Sequence, residues 1–226
     1  MKIFKFSKLS IILILLVTLF IIIFYGIQNS QAIDEKNQFR EFGKTISKNV
    51  IEKKEKLSRL KKQSELDKFE FESLKSYYKT FFPKLTDEQV EEKALNDVIV
   101  ETAIISKAAQ LKLLPSEEEV LKRVREERKN FENASGQENK KVKEMVDSLI
   151  EGLGISKDEY WSTVVPSGYV YTISEERLFA YETKNIKDVT EKKEKWEVSK
   201  QKFVEDFKTK QKQSIEQFKE DVQKVR

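Results

Sequence analysis

The stretch of sequence that decides the fold is Glu88 to Leu114, EQVEEKALNDVIVETAIISKAAQLKLL. At about 100° per residue, the apolar residues of its second half leave no helical face for water. They are Val98, Ile99, Val100, Ala103, Ile104, Ile105, Ala108, Ala109, Leu111, Leu113 and Leu114. Glu101, Lys107 and Lys112 interrupt the run, so it is too short to span a bilayer, which needs roughly 20 largely apolar residues. The pattern predicts a central helix enclosed by other helices, and therefore an all-α domain.

Helix starts are marked at three places around and after this central helix. Each carries the capping-box pattern, in which a hydroxyl side chain and a Glu or Gln three residues later satisfy free backbone amides. The pairs are Thr86 with Gln89, Ser116 with Glu119, and Ser156 with Glu159. Pro83 and Pro115 stand where the preceding helices are expected to end. Together these signals predict the boundaries of the helices that surround the central one.

Further helices are predicted after the central one. Gly152 and Gly154 are expected to close an amphipathic helix that begins near Val142. The helix after Ser156 is expected to break or kink near Pro166 to Gly168. A closing helix is expected over residues 190–226, and it should pack on the domain or on a partner, because alone it would expose large aromatic side chains. Its stripe is Val189, Trp196, Phe203, Phe207, Phe218 and Val225.

The N-terminal residues predict a membrane anchor. Residues 1–8 carry three lysines and no acid, and residues 9–27 are uncharged and apolar. Positive residues on this flank hold the N-terminus in the cytoplasm, so the rest of the chain is expected outside the cell membrane as a single-pass protein. The length of the apolar run favours a retained anchor, while the small residues Ser30 and Ala32 leave cleavage after Ala32 open.

A polar segment, residues 34–66, follows the predicted anchor. Its apolar residues recur at spacings of three, four and seven, which predicts one narrow helical stripe. The stripe consists of Phe39, Phe42, Ile46, Val50, Leu57 and Leu60. Such a helix is either a stalk or an element that docks on one edge of the domain, and the sequence leaves both open.

Composition excludes several classes of function. Among 226 residues there is no Cys and no His, which excludes disulfides, thiol or imidazole catalysis and nearly every zinc site. The sequence also contains no glycine-rich phosphate loop and no nucleophile motif, so we expect no enzyme, no cofactor and no metal. Three of the four net positive charges correspond to Lys2, Lys5 and Lys8. The nearly neutral remainder argues against a nucleic-acid partner.

Two stretches of the chain together resemble a known family. They are FEFESLKSYYKTFFPKLTDEQVEEKALNDVIVETAIISKAAQLKLLPSEEEVLKRV and, after a loop, LIEGLGISKDEYWSTVVPSGYVY. In the order and spacing of their helices, residues 67–183 resemble the N-terminal chaperone domain of SurA-like and PrsA-like proteins. That resemblance implies an all-helical domain outside the cytoplasmic membrane that binds unfolded exported polypeptides through an apolar cradle.

Two departures from the family bear on function. Many members carry a parvulin-type prolyl isomerase domain before a returning C-terminal helix, whereas here only residues 183–190 occupy that place. A lipid-anchor Cys is also missing, and the predicted membrane helix stands in its position. The resemblance therefore implies a chaperone module without the enzyme, whose partners are unfolded or nascent exported chains.

Aromatic side chains are the candidates for a client-binding surface. They are Tyr160, Trp161, Tyr169, Tyr171, Phe179 and Tyr181, with Trp196 and Phe203 from the closing helix. The alternative for each is ordinary packing inside its own domain, because aromatics at helical spacing usually face the core.

A second hypothesis assigns the chain to a structural or interaction protein of a cell-surface assembly. The stripes from Phe39 to Leu60 and from Trp196 to Val225 would then be coiled-coil seams, and the chain could form a homodimer. Regular seams use sustained Leu and Ile heptads, which these stripes lack. The chaperone hypothesis is therefore preferred.

Overall fold

The computed structural model describes residues 35–52 and 57–224, and its regular structure there is entirely helical. This confirms the predicted all-α class. The helices are α1 (Glu35–Glu52), α2 (Ser58–Lys61), α3 (Lys68–Phe81), α4 (Asp87–Gln110), α5 (Glu117–Asn133), α6 (Gln137–Leu153), α7 (Lys157–Glu159), α8 (Val165–Glu182), α9 (Val189–Lys210) and α10 (Lys212–Gln223). A π-helical turn, Tyr160–Val164, joins α7 to α8.

Helix α4 is the central helix that its apolar pattern predicts. It packs against α3, α8 and α9, and Ala94, Val98, Ile104 and Ile105 have no exposed surface. Helix α1 packs against α6 and α3, and α5 packs against α8. The fold is thus organised around one helix that is buried on several sides, as expected for a segment without a polar face.

The central helix ends earlier than its apolar run. Lys112 adopts a left-handed conformation with φ of 58°. The amides of Lys112 and Leu113 donate to the carbonyls of Ala109 and Ala108, at 3.0 and 2.8 Å, which is the Schellman arrangement that stops a helix. Leu113 therefore leaves the helix axis and packs beside it.

The predicted helix starts are found at their capping residues. Thr86 caps α4 and Ser116 caps α5, each with both hydrogen bonds of a capping box. The hydroxyl of Ser156 accepts from the amide of Glu159 at 3.1 Å and opens α7. Phe82 follows the last residue of α3 directly before Pro83.

Helix α1 docks on the domain across a close crossing with α6. A Cβ on Gly43 would lie 2.5 Å from the carbonyl oxygen of Leu149, and one on Gly152 would lie 2.1 Å from that of Arg40. The prediction that Gly152 closes α6 is therefore wrong, because this glycine lies inside the helix and permits backbone contact. Gly154, at φ of 70°, ends the helix.

The break or kink expected near Pro166 to Gly168 corresponds to an irregular turn just before the proline. Helical structure continues through Pro166, and the irregularity comes earlier, in the turn Tyr160–Val164. The amide of Val165 donates to the carbonyl of Tyr160, five residues back. A proline interrupts the regular bonding pattern of the turn before it, and the wide turn accommodates this without ending the helix.

The single closing helix predicted for residues 190–226 is two helices. The chain bends at Gln211, which ends α9 and begins α10. Trp196, Phe203 and Phe207 of the predicted stripe are buried. Val189, by contrast, is 45% exposed, and Val225 lies outside the described residues. The bend lets Ile215 pack against the same apolar cluster as Phe207.

The predicted membrane anchor, residues 9–27, and the possible cleavage position after Ala32 lie outside the described residues. Within residues 35–52 and 57–224, no helix is both long and apolar enough to cross a bilayer.

Candidate functional site

The eight aromatic candidates separate into two apolar clusters and one exposed position. Tyr160, Trp161 and Tyr169 belong to the largest cluster of the core. Phe179, Trp196 and Phe203 belong to a smaller one between α4, α8 and α9, and Tyr171 packs against both. Tyr181 is 42% exposed. The structure therefore does not bring all eight candidates to one surface.

Tyr160, Trp161 and Tyr169 pack where α5 meets α8. The Trp161 ring lies 5.5 Å from the Phe131 ring and 5.9 Å from the Tyr160 ring. Burial raises the pKa of Tyr160 to about 12, and burial followed by the charge of Glu127 raises the pKa of Tyr169. Both tyrosines are buried hydrophobic anchors, so this group fits the core-packing alternative.

The second group forms the edge cluster, which we define as Tyr171, Phe179, Trp196 and Phe203 with Leu111 and Leu113. It surrounds the buried residues Ile104, Ala108 and Leu178. The Trp196 ring is 5.9 Å from Phe179 and 6.3 Å from Phe203. Trp196 and Phe203 are buried, while Leu111, Leu113, Tyr171 and Phe179 are half-buried. This edge of the domain therefore presents aliphatic and aromatic surface to its surroundings.

Cationic side chains lie over two aromatic rings near this edge. The Lys107 ammonium is 5.2 Å from the centre of the Phe203 ring, and that of Lys184 is 4.5 Å from the centre of Tyr181. Each contact covers one face of a ring with a charged, hydrated group. Tyr181 follows Phe179 by two residues in the sequence, but its side chain is not part of the edge cluster.

Acidic groups border the edge cluster along α4 and α8. The Tyr78 hydroxyl donates to Asp97, and Lys200 forms an ion pair with Glu175 at 2.8 Å. Burial raises the pKa of Asp97 against the lowering effects of the Tyr78 hydrogen bond and Lys93. Burial, with Glu175 beside it, raises the pKa of Tyr171. The edge cluster is therefore bordered by half-buried polar groups, Asp97, Glu175 and Lys200.

A third apolar surface lies beneath the last helix. We call it the α10 bed and define it as Phe71, Ile99, Ala103, Val204 and Phe207. Ile215 of α10 joins the cluster of Ile99, Ala103, Val204 and Phe207. Phe218 of the same helix meets Phe71 with ring centres 5.6 Å apart, edge to face. None of these five residues is among the eight candidates predicted from the sequence.

The signal for the α10 bed was present in the sequence but ambiguous. Ile99 and Ala103 lie four residues apart on α4, one of several apolar rows on a helix that is apolar almost all round. A row on such a helix does not reveal which neighbour covers it. Only the bend at Gln211 assigns this row to α10.

Chemically, these surfaces are suited to contact and not to ligand coordination. Among the residues that the structure describes, no group of three or more acidic side chains is placed to hold a metal ion. A cleft of about 40 Å³ lies between the C-terminal turns of α4 and α9, and Ser106, Gln110 and Gln211 are among its lining residues. Charged side chains, Lys107, Asp206 and Lys210, also line this small cleft. The edge cluster itself consists of aliphatic and aromatic side chains, four of them half-buried.

Comparison with known proteins gives a relative that aligns with this chain over most of its own length. The chain is similar to the glutamate-rich protein GrpA of Alkalihalophilus pseudofirmus, with 31% identity over 138 residues. The aligned part covers 61% of this chain and 84% of that relative. No family model matches the chain, and no solved structure matches it.

Proposed function

This chain belongs to the family of the glutamate-rich protein GrpA, and we propose that it is a membrane-anchored chaperone outside the cytoplasm. It binds unfolded or nascent exported polypeptides and does not change them chemically. Residues 9–27 anchor it to the cell membrane, and the helical domain of the SurA-like and PrsA-like type faces outward. The resemblance of residues 67–183 to the chaperone domain of SurA-like and PrsA-like proteins supports this proposal.

The observation that carries the proposal is the edge cluster. Phe179, Leu111 and Leu113 are half-buried around the buried Trp196, so apolar surface is available on a firmly packed base. An exposed apolar surface of this kind marks a site of interaction when polar residues surround it. Asp97, Glu175 and Lys200 supply such a border.

Binding at this edge should be weak for each contact and tolerant of sequence. Apolar contacts are not directional, and each half-exposed side chain contributes only part of the 1.5 to 3 kcal/mol, roughly, of full burial. Ordering a flexible client opposes the gain. A holding protein needs this balance, because it must release its clients.

The coiled-coil alternative has less support. Phe39 and Phe42 of the first stripe, and Trp196 and Phe203 of the second, are buried against other helices of the same chain. A seam residue must be available to a second chain.

The test uses the full chain in lipid nanodiscs, with reduced and denatured lysozyme as the aggregating client. We expect suppression of light scattering at near-stoichiometric amounts, and none from empty nanodiscs. Phe179→Asp should weaken suppression about fivefold, which corresponds to about 1 kcal/mol, because it places a charge on the edge cluster. Absence of suppression by the unaltered chain would sink the proposal.

The matched control is Val198→Asp. Val198 is 64% exposed on the outer side of α9, so the same charge is added away from the edge cluster. Its suppression should equal that of the unaltered chain, and circular dichroism should show both variants folded at the assay temperature. Equal suppression by Phe179→Asp and Val198→Asp would remove the edge cluster from the mechanism.

A further inference from the structure

Helix α10 is held to the domain by few interactions. It has 12 residues and no side-chain cap at its start, and isolated helices of that length are marginal in water. Its charges also oppose the helix dipole, since Lys212 lies in the first turn and Glu220 and Asp221 lie near the last. The helical state of α10 therefore depends on its docking.

The docking contacts of α10 are apolar and local. Ile215 is the buried anchor, and Phe218 and Val222 are half-buried against Phe71 and its neighbours. The ion pairs found for α10 within residues 57–224 join Lys224 to Glu220 and Asp221 of its own helix. Among the side chains that the structure describes in that part of the chain, no ion pair therefore fixes α10 to its bed.

The bend before α10 is loosely packed. Gln211 lines the small cleft between α4 and α9, which lies next to the start of α10. Its amide donates to the Phe207 carbonyl at 2.8 Å and completes α9, so α9 is finished without any contribution from α10. Helix α10 can leave the domain at this residue while α9 stays in place.

We propose that α10 is displaceable and that the α10 bed is a binding surface for an amphipathic segment of another polypeptide. The segment carries an aliphatic and an aromatic side chain three residues apart, as Ile215 and Phe218 do. The identification of this segment as part of a non-native exported polypeptide rests on the proposed function. The displacement of α10 by a bound segment does not. Helix α10 then covers the bed when no client is present.

The first test measures opening by cysteine labelling, which is unambiguous because the chain has no cysteine of its own. Ile46→Cys in α1 and Ile215→Cys in α10 are a matched pair, since each isoleucine is 7% exposed. In the full chain in nanodiscs, we expect the thiol at position 215 to react about tenfold faster, as local opening requires. Equal rates would overturn the proposal.

The second test measures binding in trans. The probe is a fluorescent peptide of residues 211–224, QKQSIEQFKEDVQK, added to the full chain carrying Ile215→Asp and Phe218→Asp, which free the bed. We expect binding, tighter by about tenfold than to the unaltered chain, whose own α10 competes at high effective concentration. A peptide of unrelated polar sequence that keeps Ile and Phe three residues apart should bind as well.

Controls separate this proposal from the proposed function. A probe peptide with Ile215→Ser and Phe218→Ser should not bind, and binding equal to that of the parent peptide would overturn the proposal. Absence of binding by the parent peptide would overturn it too, while leaving lysozyme suppression through Phe179 untouched. Peptide binding without lysozyme suppression would uphold the surface and reject the chaperone role. A stable dimer with labelling at position 215 that depends on protein concentration would make a second copy the occupant and overturn the proposal.

Discussion

Helices α1 and α10, at opposite ends of the described chain, dock on the domain in different ways. Each is amphipathic, and each buries an isoleucine to 7% exposure. Helix α1 crosses α6 at backbone distance through Gly43 and Gly152. It also forms ion pairs with that helix, Lys36 with Glu144 at 2.8 Å and Arg40 with Glu151 at 3.0 Å. Helix α10 has a few apolar anchors and no comparable crossing.

This contrast shows what an amphipathic stripe leaves undetermined. A stripe predicts that a helix will dock, but the strength of docking depends on how closely the backbones approach and on charges carried by the partner helix. Those features lie elsewhere in the sequence, for α1 more than a hundred residues away on α6. We therefore expect firm docking of α1 and reversible docking of α10.

The largest effect is expected from Gly152→Val. Its side chain would overlap the carbonyl of Arg40 and force α1 away from α6, which exposes Phe39, Phe42 and Ile46. Loss of their burial should lower the free energy of unfolding by about 5 kcal/mol, measured by urea denaturation of the full chain. Lys140→Ala, on the exposed side of the same helix, should change it by less than about 0.5 kcal/mol. If Gly152→Val lowered the free energy of unfolding only slightly, α1 would be docked as weakly as α10.

Identical truncations on the two helices give the next largest difference. Phe39 is 1% exposed, and Phe39→Ala should cost about 3 to 5 kcal/mol of stability. Phe218 is half-buried, and Phe218→Ala should cost about 1 kcal/mol, because the loss is limited by the docking free energy of α10. Urea denaturation measures both. Equal losses would show that α10 unfolds only with the whole domain.

A smaller effect should follow from correcting the charge at the start of α10. Lys212→Glu places an acid at the positive end of the helix dipole, worth about 0.3 to 1 kcal/mol. Labelling of Ile215→Cys should then slow by about two- to fivefold, and that of Ile46→Cys should stay the same. Lys219→Glu, the same charge change in the middle of the helix, is the control. Equal slowing by both variants would rule out the dipole explanation.

The smallest effect is expected from salt. Ion pairs join α1 to α6, among them those of Lys36 and Arg40 and that of Lys141 with Glu35 at 2.7 Å. Exposed pairs contribute little each, so screening by about 1 M NaCl should speed labelling of Ile46→Cys by roughly twofold. Labelling of Ile215→Cys should not become faster. Faster labelling at both positions would mean that salt acts on the domain as a whole.

The helices themselves were largely predictable because their signals are local. The capping boxes at Thr86 and Ser116 form with both hydrogen bonds. The central helix follows from a run of apolar residues that leaves no helical face for water. Local chemistry of this kind is written within three or four residues. The all-α class follows from the same signals.

The tertiary relations were not predictable from the stripes. Gly152 follows a helix pattern and precedes another glycine, so its sequence context matches a helix end, and only Arg40 on the opposite helix shows its role in the crossing. Likewise, Trp161 and Trp196 are both predicted as candidates for the client-binding surface, yet one packs in the main core and the other at the edge cluster. Which neighbour covers a side chain depends on residues distant along the chain.

The wide turn before Pro166 has a consequence for the two faces of this helical segment. A π-helical turn holds one residue more than an α-helical turn, so it shifts the angular position of every later side chain by about 100°. Tyr160 can therefore face the main core while Leu178, in the same helical segment, faces the edge cluster. Removing one residue from positions 160–164 would leave both halves helical and yet misalign them, so the two clusters could no longer form together.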